Sequence, residues 1–302
     1  MFSRRHPFLF FTLIFSAIIS GTVLFMSLLL TIGTSGTDFI SGDKVGVIEI
    51  TGVVVESKDI LQQIKQYRED ESIKAVVLRI NSPGGGVGPS QEIYREVRKT
   101  VKEKNVIASM GAVAASGGYY IASGTSGIIA NPGTVTGSIG VIMGYTNFQE
   151  IFNKIGLKPV VVKSGQFKDM GSPVRDMTKE EEKILTDFVN KIHMQFVKDV
   201  SEGRGMDMEK VKLLADGRIY TGEEAKTIGL VDRLGNLEDA VEWAGRLGGI
   251  EGEISTVYPK KEEMPLLEYL TGMSIHQIFQ SIFHSSYSSS VSAEYIYHPP
   301  SN

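Results

Sequence analysis

From Pro7 to Thr37 the chain carries no charged residue, and within that stretch Phe8–Ile32 is a run of 25 residues dominated by Phe, Leu, Ile and Val. At 1.5 Å per residue a helix of that length crosses a hydrocarbon core of about 30 Å with some tilt. Arg4 and Arg5 precede the run, and the first charge after it is Asp38. The positive-inside rule then puts the N-terminus in the cytoplasm and everything after Asp38 outside. A cleaved secretion signal has the same orientation. Its apolar region would be about 7–15 residues long and followed by an A-x-A-like site, whereas here Gly33-Thr34-Ser35-Gly36 follows a longer run. The expectation is a retained single-pass anchor in the cell (inner) membrane. The segments expected are an N-terminus over 1–7, an anchor over 8–32, a linker over 33–43, a folded domain over 44–250 and an extension over 251–302 with no assigned role.

The roughly 260 residues beyond the anchor suffice for one large α/β domain or two small ones. A formal net charge of −4 and a pI near 5.8 leave no basic footprint, so no nucleic-acid partner is expected. Cysteine is absent, which excludes disulfides, a thiolate nucleophile and Cys-based zinc sites. No cofactor and no metal are expected. The histidines are His6, His193, His276, His284 and His298.

Strand and helix patterns alternate after the linker. Val45–Ile50 and Ala75–Ile80 are β-branched runs ending in turn residues, with Ile60, Ile64 and Tyr67 on one helix face between them. Ser90 is placed to cap a second helix bearing Ile93, Val97 and Val101. Val106–Ser109, Gly127–Ala130 and Pro159–Val162 read as further buried strands. Thr178 with Glu181 forms a capping box for a long helix striped by Ile184, Leu185, Phe188, Ile192 and Phe196. Thr221 with Glu224 caps another helix, which Gly229 closes, and Asn236 starts a last one carrying Ala240, Val241 and Ala244. Strands alternating with helices imply a mostly parallel sheet with helices packed on it. The Ser- and Tyr-rich tail from Leu266 has no regular pattern.

Two glycine-rich stretches each follow a strand: Asn81-Ser82-Pro83-Gly84-Gly85-Gly86, and Met110 to Tyr120 with Ser116 among Ala and Gly. Neither has the P-loop Lys-Ser/Thr or a dinucleotide fingerprint with its acidic partner. Small neighbours leave room for a carbonyl to reach Ser116 Oγ. The Gly117 N–H points where an oxyanion would form, and a glycine amide of the first loop is a possible second donor. Taken alone, a serine before a helix reads first as a plain N-cap. A nucleophilic serine needs a base, and no histidine has a persuasive context. A desolvated lysine can serve. Lys168, in Ser164-Gly165-Gln166-Phe167-Lys168-Asp169-Met170-Gly171-Ser172-Pro173, competes with the reading of an ordinary solvated loop lysine.

These stretches, with Thr134–Val141 and Ser164–Pro173, resemble the signal peptide peptidase A family of bacteria and archaea, in its order and with 168 − 116 = 52 residues from serine to lysine. Gly217–Gly222 and Ile228–Asp232 resemble its closing segment, so the likeness covers roughly residues 44–248 in a single-copy short form. The resemblance implies a Clp protease/crotonase-like α/β fold of repeated β-β-α units behind one transmembrane helix. It implies a serine endopeptidase with Ser116 as nucleophile, Lys168 as general base, Ser138 orienting the lysine, and Gly117 and Gly85 as oxyanion donors. It further implies homo-oligomers with active sites near subunit interfaces, and cleaved signal peptides in the membrane lipid as substrates. Processing of one specific partner, or a crotonase-like acyl-CoA chemistry, are the alternatives.

Overall fold

In the computed structural model, residues 7–34, 42–259 and 293–296 are described. Arg4, Arg5, most of the 33–43 linker, and His276, His284 and His298 lie outside the described residues. Two compact units separate at Gly42/Asp43. The first contains helix α1 (Pro7–Thr34), whose Phe10–Leu28 window has a mean hydropathy of 2.1, with none of that window buried in protein. Its 28 residues span about 42 Å at helical rise.

The second unit is built on β1 (Lys44–Thr51) and β2 (Ile73–Ser82), which pair in parallel from Val45↔Ala75 to Thr51↔Asn81. Both strands are covered on both faces, which explains why they read as continuous apolar runs. Ile48, Ile50, Val76, Leu78 and Ile80 face one layer of helices, while Val45, Val47, Ala75 and Val77 face the other. β4 (Asn105–Ala115) follows alongside β2, then β5 (Gly127–Ala130) and β9 (Arg233–Leu234). The far edge is β10 (Ser255–Val257), which pairs with β1 at Lys44↔Ser255, so the sheet takes a strand from beyond residue 250. β6 (Val135–Gly137) continues beside the second half of β4 and is backed by the antiparallel β8 (Ile219–Thr221).

On the first face lie α2 (Lys58–Glu69), α3 (Val87–Thr100), α4 (Gly117–Ser123) and the C-terminal half of α6 (Lys179–Arg204). Fully buried Tyr119, Tyr120 and Phe196 anchor this layer, the last two with ring centroids 4.7 Å apart. α9 (Leu237–Leu247) covers the other face with Ala240, Val241 and Ala244. Capping boxes at Thr178/Glu181, Thr221/Glu224 and Asn236/Asp239 start α6, α8 (Gly222–Ile228) and α9, and Gly229 (φ 90°) ends α8. α5 (Gln149–Lys154) and α7 (Met208–Leu214) complete the unit.

Three local expectations change. Helix α3 starts at Val87 with Gly86 as its N-cap; Pro89 sits in the first turn, where a missing N–H costs nothing, and Ser90 is buried one residue further in. Pro159–Val162 is not a strand: no strand among the described residues pairs with it, and Val160 and Val162 are 86% and 96% exposed. The α6 stripe is buried only from Ile192 onward, Phe188 being 47% exposed.

A second, three-stranded sheet sits apart from the first. β3 (Gly84–Gly86) and β7 (Ile142–Met143) flank β11 (Ala293–Ile296), which runs antiparallel to both.

Candidate active site

Strand β4 ends at Ala115, and the chain turns into α4 at Ser116, whose backbone adopts φ 53°, ψ −116°. A non-glycine residue held there costs on the order of 1–3 kcal/mol, which the surroundings must over-determine. They do: Ser116 N–H donates to Gly137 O at 2.8 Å, and its C=O accepts from Tyr120 N–H at 2.8 Å. The Ser116 side chain makes no capping hydrogen bond, so the plain N-cap reading lacks its defining contact. Ser116 is 1% exposed.

Ser138 is the other non-glycine residue with positive φ, at 51°, among the described residues. It follows β6, which lies beside β4 in the register Ala115↔Gly137, so Ser116 and Ser138 leave adjacent strand ends about 5 Å apart in the hydrogen-bonding direction. Ser138 N–H donates to Arg218 O at 2.8 Å, so the Gly217–Gly222 segment backs this residue. Ser138 also lines a cavity of about 320 Å³ together with His193, whose buried Nε2 has no partner among the described residues.

The first glycine loop is fixed by its own polar residues. Asn81 Oδ1 accepts from Val113 N–H at 3.2 Å, and Ser82 Oγ accepts from Gly84 N–H at 3.1 Å. Val54 N–H donates to Gly84 O at 2.8 Å and Gly86 N–H donates to Val54 O at 2.9 Å. A Cβ on Gly85 would lie 2.2 Å from Val54 O, so only glycine permits this approach. The pairing turns the N–H and C=O of Gly85 itself away from Val54, towards β11. Gly118 packs closely on the same loop: a Cβ there would meet Ser82 O at 2.9 Å. The two glycine stretches are therefore adjacent, with Gly117 at the first turn of α4.

Lys168 stands elsewhere. It lies in an exposed turn, its N–H donating to Gly165 O at 3.1 Å, and no hydrogen bond joins it to Ser116 or Ser138 among the described residues. Its neighbour Asp169 is clamped by Lys163 at 2.5 Å and by Arg175 at 2.9 Å, and Arg175 also pairs with Glu181 at 2.5 Å. Hydrogen bonds from Arg175 and then Lys163 hold Asp169 well below its ordinary value. Those from Arg175 and then the Thr178 N–H lower Glu181 to about 2. The lysine's loop is thus tied to the start of α6. Nothing in the sequence singles out Arg175; an arginine six residues from each of two acidic ones carries little signal until the loop folds. Beside it a cavity of about 680 Å³ is lined by Ile142, Met143, Tyr145, Met177, Leu185 and Val189. Among the described residues no His/Asp/Glu cluster could hold a metal.

Comparison with known proteins adds to this geometry. The family model of peptidase family S49 matches residues 98–251, and that of Clp protease matches residues 47–135. A candidate protease of Synechocystis sp. is 42% identical over 231 residues, covering 76% of this chain and 83% of that protein. A candidate signal peptide peptidase SppA of Enterococcus faecium is 39% identical over 216 residues, 67% of this chain and 63% of its own length. The chloroplastic serine protease SPPA of Arabidopsis thaliana is 30% identical over 231 residues, of which this chain spans 34% of the length.

Proposed function

The chain belongs to peptidase family S49, and from that premise we propose that it is a membrane-anchored serine endopeptidase working through Ser116 and Lys168 on apolar peptides, remnant signal peptides among them. The observation that carries the reading is the strained, buried, non-capping Ser116, which lies within one glycine-rich stretch while the other packs against the adjacent Gly118. Its Oγ attacks the scissile carbonyl. The neutral amine of Lys168 accepts the hydroxyl proton and returns it to the leaving nitrogen. Amides of Gly117 and Gly85 receive the developing oxyanion, and Ser138 orients the lysine. Because Lys168 stands exposed on a tethered loop, the reading requires that loop to close over Ser116 on substrate binding or on assembly with a second copy. The apolar helix α1 serves as the anchor and Arg4 and Arg5 keep its start cytoplasmic, which puts the peptidase outside.

The test is hydrolysis of an apolar peptide by the purified full chain in detergent. Ser116→Ala and Lys168→Ala are each expected to lower kcat by at least about 10³-fold. Either variant working within tenfold of the parent removes that residue from the chemistry. Since the lysine must be neutral to act, the parent's rate is expected to rise towards alkaline pH.

A further inference from the structure

Helix α6 brings one imidazole to the neighbourhood of Ser116. His193 stands between Ile192 and Phe196, both buried in the core, so this turn of α6 is held firmly against the sheet layer. Its Nε2 is buried and has no hydrogen-bond partner among the described residues. A buried ring nitrogen in that condition is unfavourable unless some other group comes to meet it.

The cavity that His193 lines has walls of two kinds. Val141 and Val189 are apolar, while Ser138, Asn190 and Asp216 are polar. Asp216 is the charged group among its lining residues, and both carboxylate oxygens accept from Arg218 Nε, at 2.9 and 2.8 Å. Those bonds hold Asp216 below its ordinary value, so it does not titrate on the alkaline side. Ser138 leaves a strand end beside that of Ser116, in the register Ala115↔Gly137, so the cavity begins one strand away from the proposed nucleophile. Its volume of about 320 Å³ is far above the roughly 10–15 Å³ that one water needs.

Such a pocket fits a long alkyl amine. Apolar walls suit the methylene stem of a lysine, and the amine needs hydrogen-bond partners once water is stripped from it. A neutral amine has one lone pair and two N–H groups. With Ser116 as nucleophile and Lys168 as base, the lone pair accepts from the Ser116 hydroxyl and one N–H goes to Ser138 Oγ. The second N–H still needs an acceptor. A neutral imidazole with its proton on Nδ1 offers Nε2 as that acceptor.

We propose that His193 is a positioning residue for the base, its Nε2 accepting a hydrogen bond from Lys168 Nζ when the lysine side chain enters this cavity. This rests on the reading of Ser116 as nucleophile and Lys168 as base. His193 takes up no proton. As Ser116 Oγ bonds to the scissile carbonyl carbon, its proton passes to Lys168 Nζ. The ammonium then holds Ser138 and His193 through two N–H groups, and the third gives its proton to the leaving nitrogen as the C–N bond breaks. Charge strengthens the contact, so Nε2 favours the ammonium over the amine and raises the pH at which the lysine becomes a base.

The experiment measures kcat and KM for an apolar peptide across pH, using the full chain in detergent as parent, His193→Leu and His193→Gln. Leucine has no acceptor, whereas glutamine Oε1 reaches about as far as Nε2. His193→Leu is expected to lower the plateau kcat about 10- to 100-fold, to leave KM within about threefold, and to move the alkaline rise to lower pH by about one unit. His193→Gln is expected to recover most of the rate and the parent's pH profile. Should leucine unfold the chain by circular dichroism, glutamine decides alone: a folded His193→Gln that has lost tenfold or more overturns the proposal, and a parent-like profile supports it. A fall in kcat with the profile unmoved makes His193 structural, and a rise in KM alone makes it a substrate contact; either overturns the proposal. A His193→Leu chain as active as the parent, with Lys168→Ala dead, overturns it too and leaves the serine–lysine reading standing. A Lys168→Ala chain within tenfold of the parent removes both together.

Discussion

Ser116 and Ser138 carry positive φ without glycine's freedom, at 53° and 51°. In each case the backbone is pinned by hydrogen bonds from neighbouring strands or segments rather than by any preference of serine. Glycine at 116 would relieve strain of about 1–3 kcal/mol, and its looser unfolded chain would give back roughly 0.4–1 kcal/mol. Alanine would keep the strain. Ser116→Gly is therefore expected to melt about 2–4 °C above Ser116→Ala, both being inactive. A glycine variant that melts no higher than the alanine one means the turn is unstrained. The same scale explains how much of the site is legible in the sequence. Gly85 is one of three adjacent glycines, and what distinguishes it is the distance to Val54, a residue 31 positions away that no local pattern could supply.

Among the elements, what depends on neighbours in sequence was legible and what depends on a distant partner was not. The capping boxes at Thr178, Thr221 and Asn236 are local, and they start helices where the residues say. Reading a strand from β-branched content fails at Pro159–Val162, because such residues make a strand only when another edge is there to pair with them. Strand β11 is the opposite case: Ala293–Ile296 has no pattern, and it is a strand because two waiting edges accept it. The clamp on the Lys168 loop belongs to this scale as well. Asp169 and Glu181 both titrate below their ordinary values of 3.8 and 4.5 because Arg175 donates to each. Groups lowered on folding stabilise fully above their unfolded values and lose that contribution as pH falls through the folded ones. The stability gap between the parent and Arg175→Leu should thus be complete at about pH 6 and shrink as pH falls from about 4.5 towards about 2. Urea melts across that range measure it, and a gap independent of pH would mean that Arg175 acts through packing alone.

For the whole molecule, the region from β7 to α6 is where the peptidase unit leaves much apolar surface uncovered. Ile151, Ile155, Leu157, Val160 and Val162 are all more than half exposed, while the core beneath the main sheet is closed. Apolar side chains exposed along one segment suit a partner's seat, and the partner we propose for it is a second copy of this chain. The same region carries Lys168, exposed and with no hydrogen bond to Ser116 among the described residues, so a second copy seated there would desolvate the lysine and bring its loop to the serine. In an isolated chain Val162→Asp exchanges one exposed side chain for another and should alter stability by no more than about 0.5 kcal/mol. At an interface it buries an unpaired carboxylate instead, which is far more costly. The expected outcome is a smaller species by light scattering in detergent and at least a tenfold loss of peptide hydrolysis, with an unchanged circular dichroism spectrum. Unaltered size and activity would assign this surface to something other than self-assembly, and Lys168 would then have to reach Ser116 within a single chain.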